Sequence, residues 1–93
     1  MRETVVNELF PVFLKTRELQ VLLVGGGAVG LEKLKALLLN SPETTVTVVA
    51  RAYSEAFLDF AERHETVFME LRDFEPSDLE GKQLVITALN DLE

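Results

Sequence analysis

With 93 residues, the chain has the length of one small domain, near the lower limit for burying a core of its own. Its 9 basic and 16 acidic side chains give a formal net charge of −7, which argues against binding nucleic acid or an anionic membrane through a basic surface. There is no cysteine, and so no disulfide, thiolate metal site or cysteine nucleophile. The hydrophobic fraction of 47% is that of an ordinary globular protein, and no apolar stretch is long enough to cross a membrane. Residues 1–15 carry Arg2, Glu3 and Glu8 and lack the apolar core of a signal peptide, so a cytoplasmic location is expected.

Met1 to Glu8 is polar and expected to fray. Leu9 to Leu14 is apolar around Pro11; a proline excludes a central strand, so an edge strand or an extended segment packed on a sheet is expected. After a polar turn, Leu19 to Val24 reads as a first strand. Ala28 to Leu39 reads as a helix, with Leu31, Leu34 and Leu38 on one stripe and Glu32, Lys33 and Lys35 off it. Asn40 can take a left-handed cap there, and Pro42 stops the helix. Thr44 to Ala50 is β-branched and aliphatic, a second strand. Ser54 can cap a second helix, with Phe57, Phe60, Ala61 and His64 at helical spacing. Thr66 to Leu71 is a third strand, with Val67 and Met69 on one side and Phe68 and Glu70 on the other. Pro76 to Gly81 holds a small capping box with a terminal glycine and predicts a short helical turn; Leu84 to Ala88 is a fourth strand.

Strands alternating with helices predict an α/β domain with a parallel, Rossmann-like sheet in the order 3-2-1-4. No internal repeat or linker divides the chain, so residues 1–93 are expected to form a single domain of this kind. The fourth strand is apolar on both faces, like an interior strand, yet this order leaves it at an edge. A truncated domain is therefore expected, its fifth strand lying in further sequence, with Leu92-Glu93 readable as an appended remnant.

Between the first strand and the first helix, Gly25, Gly27 and Gly30 fit G-x-G-x-x-G. Gly25 would open a tight turn, Gly27 would let the backbone approach a pyrophosphate, and Gly30 would let the helix pack close to the strand. The first helical N–H groups are unpaired and would face the phosphates. The plain alternative is a glycine turn that only packs a strand on a helix; the strand-before, helix-after context favours the nucleotide. The acid that usually follows the second strand and holds the adenosine ribose is missing, and Ala50-Arg51 stands there instead. Arg51 could meet a 2′-phosphate, which would favour NADP; a solvated loop residue, with the ribose held by backbone, is preferred. His64 suits the end of the second helix, where a cation complements the dipole, better than it suits catalysis. Asp73, Glu75, Asp78 and Glu80 read as a solvated acidic surface, not a metal site. Asn90-Asp91 follows the fourth strand at the carboxyl edge of the sheet, where both a cofactor contact and a plain loop stay open.

The lead-in Phe10-Pro11-Val12-Phe13-Leu14, a short turn, and then Val21-Leu22-Leu23-Val24-Gly25-Gly26-Gly27-Ala28-Val29-Gly30 resembles the start of siroheme synthase, and more narrowly its precorrin-2 dehydrogenase / sirohydrochlorin ferrochelatase module. Lys33, the strand Val46 to Ala50, Asp73-Phe74, Asp78-Leu79 and the ending Ala88-Leu89-Asn90-Asp91 also match. The resemblance covers nearly the whole chain from Phe10, and its specific part is the proline-aromatic lead-in joined to the triple glycine. It implies an enzyme that oxidises precorrin-2 to sirohydrochlorin with NAD, and in many members then inserts ferrous iron. Carried over by position, it implies cofactor contacts at Gly27, Ala28 and Val29 and at Arg51 and Ala52; Asn90 joins the candidate contacts from its place after the fourth strand alone. The family commonly lacks the ribose acid, which favours NAD over NADP. Its catalytic aspartate lies beyond the fifth strand, with the dimerisation and tetrapyrrole-binding parts, so no residue of this chain is assigned to catalysis. This chain alone is expected to be inactive, and the full-length protein to be a homodimer. Two residues around Ser41-Pro42 are extra relative to the family pattern. The runner-up is a regulatory nucleotide-binding module of a potassium-transport system, which usually keeps the acid after the second strand and lacks the Phe-Pro-Val-Phe-Leu start. A domain that keeps the fold for assembly and binds nothing is a third reading.

Overall fold

A four-stranded parallel sheet organises the computed structural model, which describes residues 19–88. The apolar segment Leu9 to Leu14 and the Asn90-Asp91 pair lie outside the described residues. In chain order the elements are β1 (Gln20–Val24), α1 (Ala28–Asn40), β2 (Thr45–Ala50), α2 (Glu55–Ala61), β3 (Val67–Leu71), a 3-10 turn (Pro76–Leu79) and β4 (Leu84–Thr87). Their order across the sheet is β3-β2-β1-β4, as the alternation of elements predicts. β1 therefore pairs on both sides, with β2 and with β4.

The register decides which side chains meet. Val21 lies beside Val46 and Leu23 beside Val48, and all four point to the face that the helices cover. Leu34 and Leu38 of α1 and Phe57 and Ala61 of α2 close over them, giving one apolar cluster with Phe57 fully buried. Leu22, Val24 and Val49 form a second buried cluster, on the other face. Val67 and Met69 take the helix side and Phe68 and Glu70 the opposite one, as the two-residue alternation predicts. β4 is paired only through β1 among the described residues, and its Val85 is 40% exposed.

The caps follow the local chemistry in part. Ser54 Oγ accepts from the Phe57 N–H at 3.1 Å, an N-cap in the expected place. Asn40 departs from expectation: it is the last residue of α1 and not a left-handed cap, and its Nδ2 donates back to the Ala36 carbonyl at 3.0 Å. The cap is Ser41, with extended backbone (φ −149°), because Pro42 favours an extended residue before it. The box at the 3-10 turn is reciprocal between Glu75 and Asp78. His64 follows α2, stacks on Phe60 at 4.3 Å between centroids, and places Nδ1 2.9 Å from the Phe60 carbonyl, which can only accept, so Nδ1 carries the proton. His64 thus sits at the end of α2, where the sequence places it, and is not among the residues lining the cleft at the carboxyl edge of the sheet.

Phe57 joins α2 to both α1 and the sheet. Phe57→Ala should lower the unfolding free energy by about 3–5 kcal/mol, read as a reduced urea midpoint in equilibrium denaturation. A change below about 1 kcal/mol would show that α2 is not held through this ring.

Candidate functional site

A cleft of about 570 Å³ opens where β1, β2 and β3 end. Its floor is the glycine turn, and its walls are the segments that follow β2 and β3. This is the carboxyl edge of the sheet, where open α/β folds bind their ligands.

The floor exists because side chains are missing from it. Gly25 has φ +130°, a conformation that L residues rarely adopt, and a Cβ there would fall 2.7 Å from the Ala88 carbonyl oxygen. A Cβ on Gly26 would fall 2.5 Å from the Ala52 carbonyl oxygen and 2.6 Å from the Tyr53 ring. A Cβ on Gly30 would collide with the Gly25 carbonyl oxygen, so the start of α1 packs directly on the turn. Ser54 N–H donates to the Gly26 carbonyl at 2.9 Å, tying the turn to the start of α2.

The two helices present different N-termini. α2 is closed by Ser54 and carries Glu55 in its first turn. α1 begins after Gly27, has no side-chain cap and no acidic residue in its first turn. Its first N–H groups, on Ala28, Val29 and Gly30, precede the first intrahelical bond, from Leu31 N–H to the Gly27 carbonyl at 2.9 Å. Thirteen aligned peptide units leave partial positive charge at that end, which an anion can meet.

The far wall is held by polar side chains that are already committed. The Tyr53 hydroxyl donates to the Glu70 carbonyl at 2.6 Å and lies 3.1 Å from the Val48 carbonyl, so it bridges β2 and β3. Burial pushes that hydroxyl above its ordinary pKa, and its ring packs against Phe57 at 5.2 Å. Arg72 forms a two-pronged pair with Asp78, at 2.9 and 2.6 Å, and donates to the Asp73 carbonyl at 3.1 Å. Asp78 also accepts from the Glu75 N–H at 2.8 Å. The Arg72 guanidinium first, and that N–H second, hold the Asp78 carboxyl down to about 2. Arg51, after β2, lies 3.5 Å from Asp73, after β3, and both side chains are largely exposed.

The predicted site residues fall into three groups. Gly25, Gly27, Arg51 and Ala52 line the cleft. Ala28, Val29 and Gly30 form the first turn of α1 and are not among the cleft's lining residues; Ala28 is exposed, Val29 packs toward the core and Gly30 is buried against the turn. Asn90 is outside the described residues. Sequence reasoning missed Gly26, Tyr53, Arg72, Asp73 and Phe74 as cleft residues. The available signal was positional: each of the last four directly follows β2 or β3, within three residues of the strand's end. The acidic run also proves less uniform than expected, since Asp78 is paired and its side chain is only 11% exposed. Among the described residues, no group of three or more metal-ligating side chains is assembled.

Comparison with known proteins fits this geometry. Residues 12–93 match the family described as "Putative NAD(P)-binding". The chain is similar to the siroheme synthase of Chromobacterium violaceum, 40% identical over 86 residues, and to that of Pseudoalteromonas atlantica, 39% identical over 84 residues. These matches take in 92% and 90% of this chain but only 18% of each relative. The chain thus spans less than a fifth of the length of the curated relatives it matches. Among solved structures, its fold is similar to that of "SirC, precorrin-2 dehydrogenase", with a TM-score of 0.78 and 24% identity over 90% of this chain and 41% of that one. The resemblance to the siroheme synthase N-terminal module is borne out by the family and the relatives, and the Rossmann-like fold by the solved structure.

The Arg72–Asp78 pair makes stability pH-dependent in one direction. Asp78 is held near 2 in the folded chain, against an ordinary value of 3.8, so its contribution is full above about pH 4 and is lost as pH falls through about 2. Asp78→Asn should lower the urea midpoint at neutral pH and flatten its fall between about pH 4 and pH 2. An acid limb identical to that of the parent would show that the pair does not act in folding.

Proposed function

The chain belongs to the NAD(P)-binding family that its residues 12–93 match, and on that premise we propose that it is the nucleotide-binding part of a precorrin-2 dehydrogenase of siroheme biosynthesis. The observation that carries the reading is the glycine floor beneath an uncapped, acid-free helix N-terminus. The overall reaction is precorrin-2 + NAD⁺ → sirohydrochlorin + NADH + H⁺.

The turn fits a dinucleotide by its own geometry. Gly25 and Gly26 leave no room for a Cβ, so backbone alone forms the floor. The N–H groups of Ala28, Val29 and Gly30 would hold the pyrophosphate, and Arg51 and Ala52 stand at the adenosine end of the cleft. The nicotinamide supplies the hydride acceptor. NAD is favoured over NADP because both arginines lining the cleft already face carboxylates.

The accompanying proton needs a base within hydrogen-bond reach. Among the described residues, the titratable groups lining the cleft are Arg51, Tyr53, Arg72 and Asp73, each with a partner. Following the family resemblance, we assign the base to the longer protein, together with the tetrapyrrole site, homodimer contacts and any iron insertion. A cytoplasmic enzyme is the corresponding setting. Among the described residues no helix is long and apolar enough to cross a membrane.

Calorimetry should detect NAD binding to this chain. Gly27→Asp should weaken it at least about tenfold, equivalent to about 1.4 kcal/mol. Gly27 is the N-cap with φ −97° and ψ −156°, a conformation open to aspartate, which is itself a favoured N-cap. The backbone there suits aspartate, thermal melts check that the variant folds, and its new carboxylate would compete for the proposed anion site. Equal binding by parent and variant would remove the assignment of this turn. Given precorrin-2, the chain alone should form no NADH, whereas the longer protein should form NADH and sirohydrochlorin in equal amounts.

A further inference from the structure

The β2 end of the cleft lacks a carboxylate in its own sequence, yet one stands beside it. β2 and β3 run parallel in register, with Ala50 beside Leu71. The ladder continues one step further, because the Arg72 N–H donates to the Ala50 carbonyl at 2.9 Å. The residues that leave the two strands, Arg51 and Asp73, therefore emerge side by side, 3.5 Å apart across the cleft mouth.

Two features set Asp73 apart from an incidental surface acid. Its backbone is anchored: Arg72 donates to the Asp73 carbonyl while its guanidinium is locked onto Asp78, whose carboxylate also caps the Glu75 N–H. The loop that carries Asp73 is thus braced on both sides of it. The cations that line the cleft among the described residues are also accounted for. Arg72 is taken by Asp78, with Glu70 3.5 Å from its Nε, and Arg51 faces Asp73. A phosphate arriving at the end of β2 would meet a carboxylate and no free guanidinium, whereas a ribose diol would meet an acceptor for its hydroxyl protons.

Resting on the reading of this cleft as an NAD(P) site, we propose that Asp73, reaching from the end of β3 to Arg51, replaces the acid missing after β2 and makes the site select a dinucleotide with a free ribose 2′-hydroxyl over one with a 2′-phosphate. Selectivity of this kind comes from repulsion of the wrong ligand as much as from attraction of the right one. Asp73 is a specificity residue here and takes no part in the chemical step.

The test measures NAD and NADP binding to the 93-residue chain by calorimetry, in the parent, in Asp73→Asn and in Arg51→Ala. Both side chains are more than 70% exposed, so neither substitution disturbs the core, and thermal melts check this directly. The parent should bind NAD at least about tenfold more tightly than NADP. Asp73→Asn should cut that ratio at least about fivefold, chiefly by tightening NADP, because Arg51 is released to meet the 2′-phosphate. Arg51→Ala should keep or widen the preference for NAD. A parent that binds NAD, with a ratio unchanged in Asp73→Asn, would overturn the role of Asp73 and leave the nucleotide site standing. A parent that prefers NADP would overturn it too. Binding of neither nucleotide by the parent would overturn the site itself, and this proposal with it.

Discussion

The contact of the α1 start with the Gly25 carbonyl, with no side chain between them, is the constraint on which the rest of the structure depends. It fixes where α1 leaves β1, and so which face of the sheet Leu34 and Leu38 cover. The same turn touches three other parts of the chain. Gly25 sits against the Ala88 backbone after β4, and Gly26 sits against Ala52 and Tyr53 after β2. Gly26 also accepts a hydrogen bond from Ser54, which opens α2. One backbone segment therefore sets the spacing of β1, β2, β4 and both helices at the end of the sheet where the cleft lies. A methyl group at Gly26 or Gly30 would have to displace backbone rather than the tip of a flexible side chain, and that kind of neighbour yields least.

The electrostatics of the cleft follow from how few charges are left free in it. The chain is acidic overall, with a net charge of −7, yet its proposed ligand is an anion. The favourable field comes from backbone at the α1 N-terminus and not from lysine or arginine. A fixed backbone dipole costs no side-chain entropy when a ligand arrives and cannot swing away to pair with one of the 16 acidic residues. The contrast with α2 is informative. There Ser54 and Glu55 satisfy the same kind of helix end internally, so among the described helices only α1 begins without a side-chain cap or an acid in its first turn.

Most of the fold was legible because it is written in local periodicities. Val21 to Val24 and Val46 to Ala50 are short apolar runs, Leu31, Leu34 and Leu38 repeat at helical spacing, and their alternation leaves little choice of topology. Asn40 misled because capping depends on the residues that follow, and Pro42 drew Ser41 into an extended conformation. The cleft was legible on its glycine side and at Arg51-Ala52 after β2. Tyr53, Arg72, Asp73 and Phe74 carry no motif; they become site residues because parallel register brings the ends of β2 and β3 together. Asp73 illustrates the point. In sequence it is one acid of four in a polar run; what singles it out is that it lies 22 residues from Arg51 along the chain but 3.5 Å from it in space.

The far wall of the cleft shows why its polar groups are committed. β3 is the least buried strand: Phe68 is 54% exposed and Leu71 70%. Apolar packing contributes little there, since apolar burial scales with the area removed from water. Directional bonds take its place. The Tyr53 hydroxyl ties Glu70 to Val48 across the β2–β3 seam, and the Arg72–Asp78 pair secures the segment beyond β3 to the 3-10 turn. A hydrogen bond is directional and weakens steeply once its angle falls below about 120°, whereas apolar burial is non-directional. A wall built this way is positioned more sharply than its burial suggests. It also spends Tyr53, Arg72 and Asp78 on structure, and we accordingly assign recognition to the backbone at one end of the cleft and to the Arg51–Asp73 couple at the other.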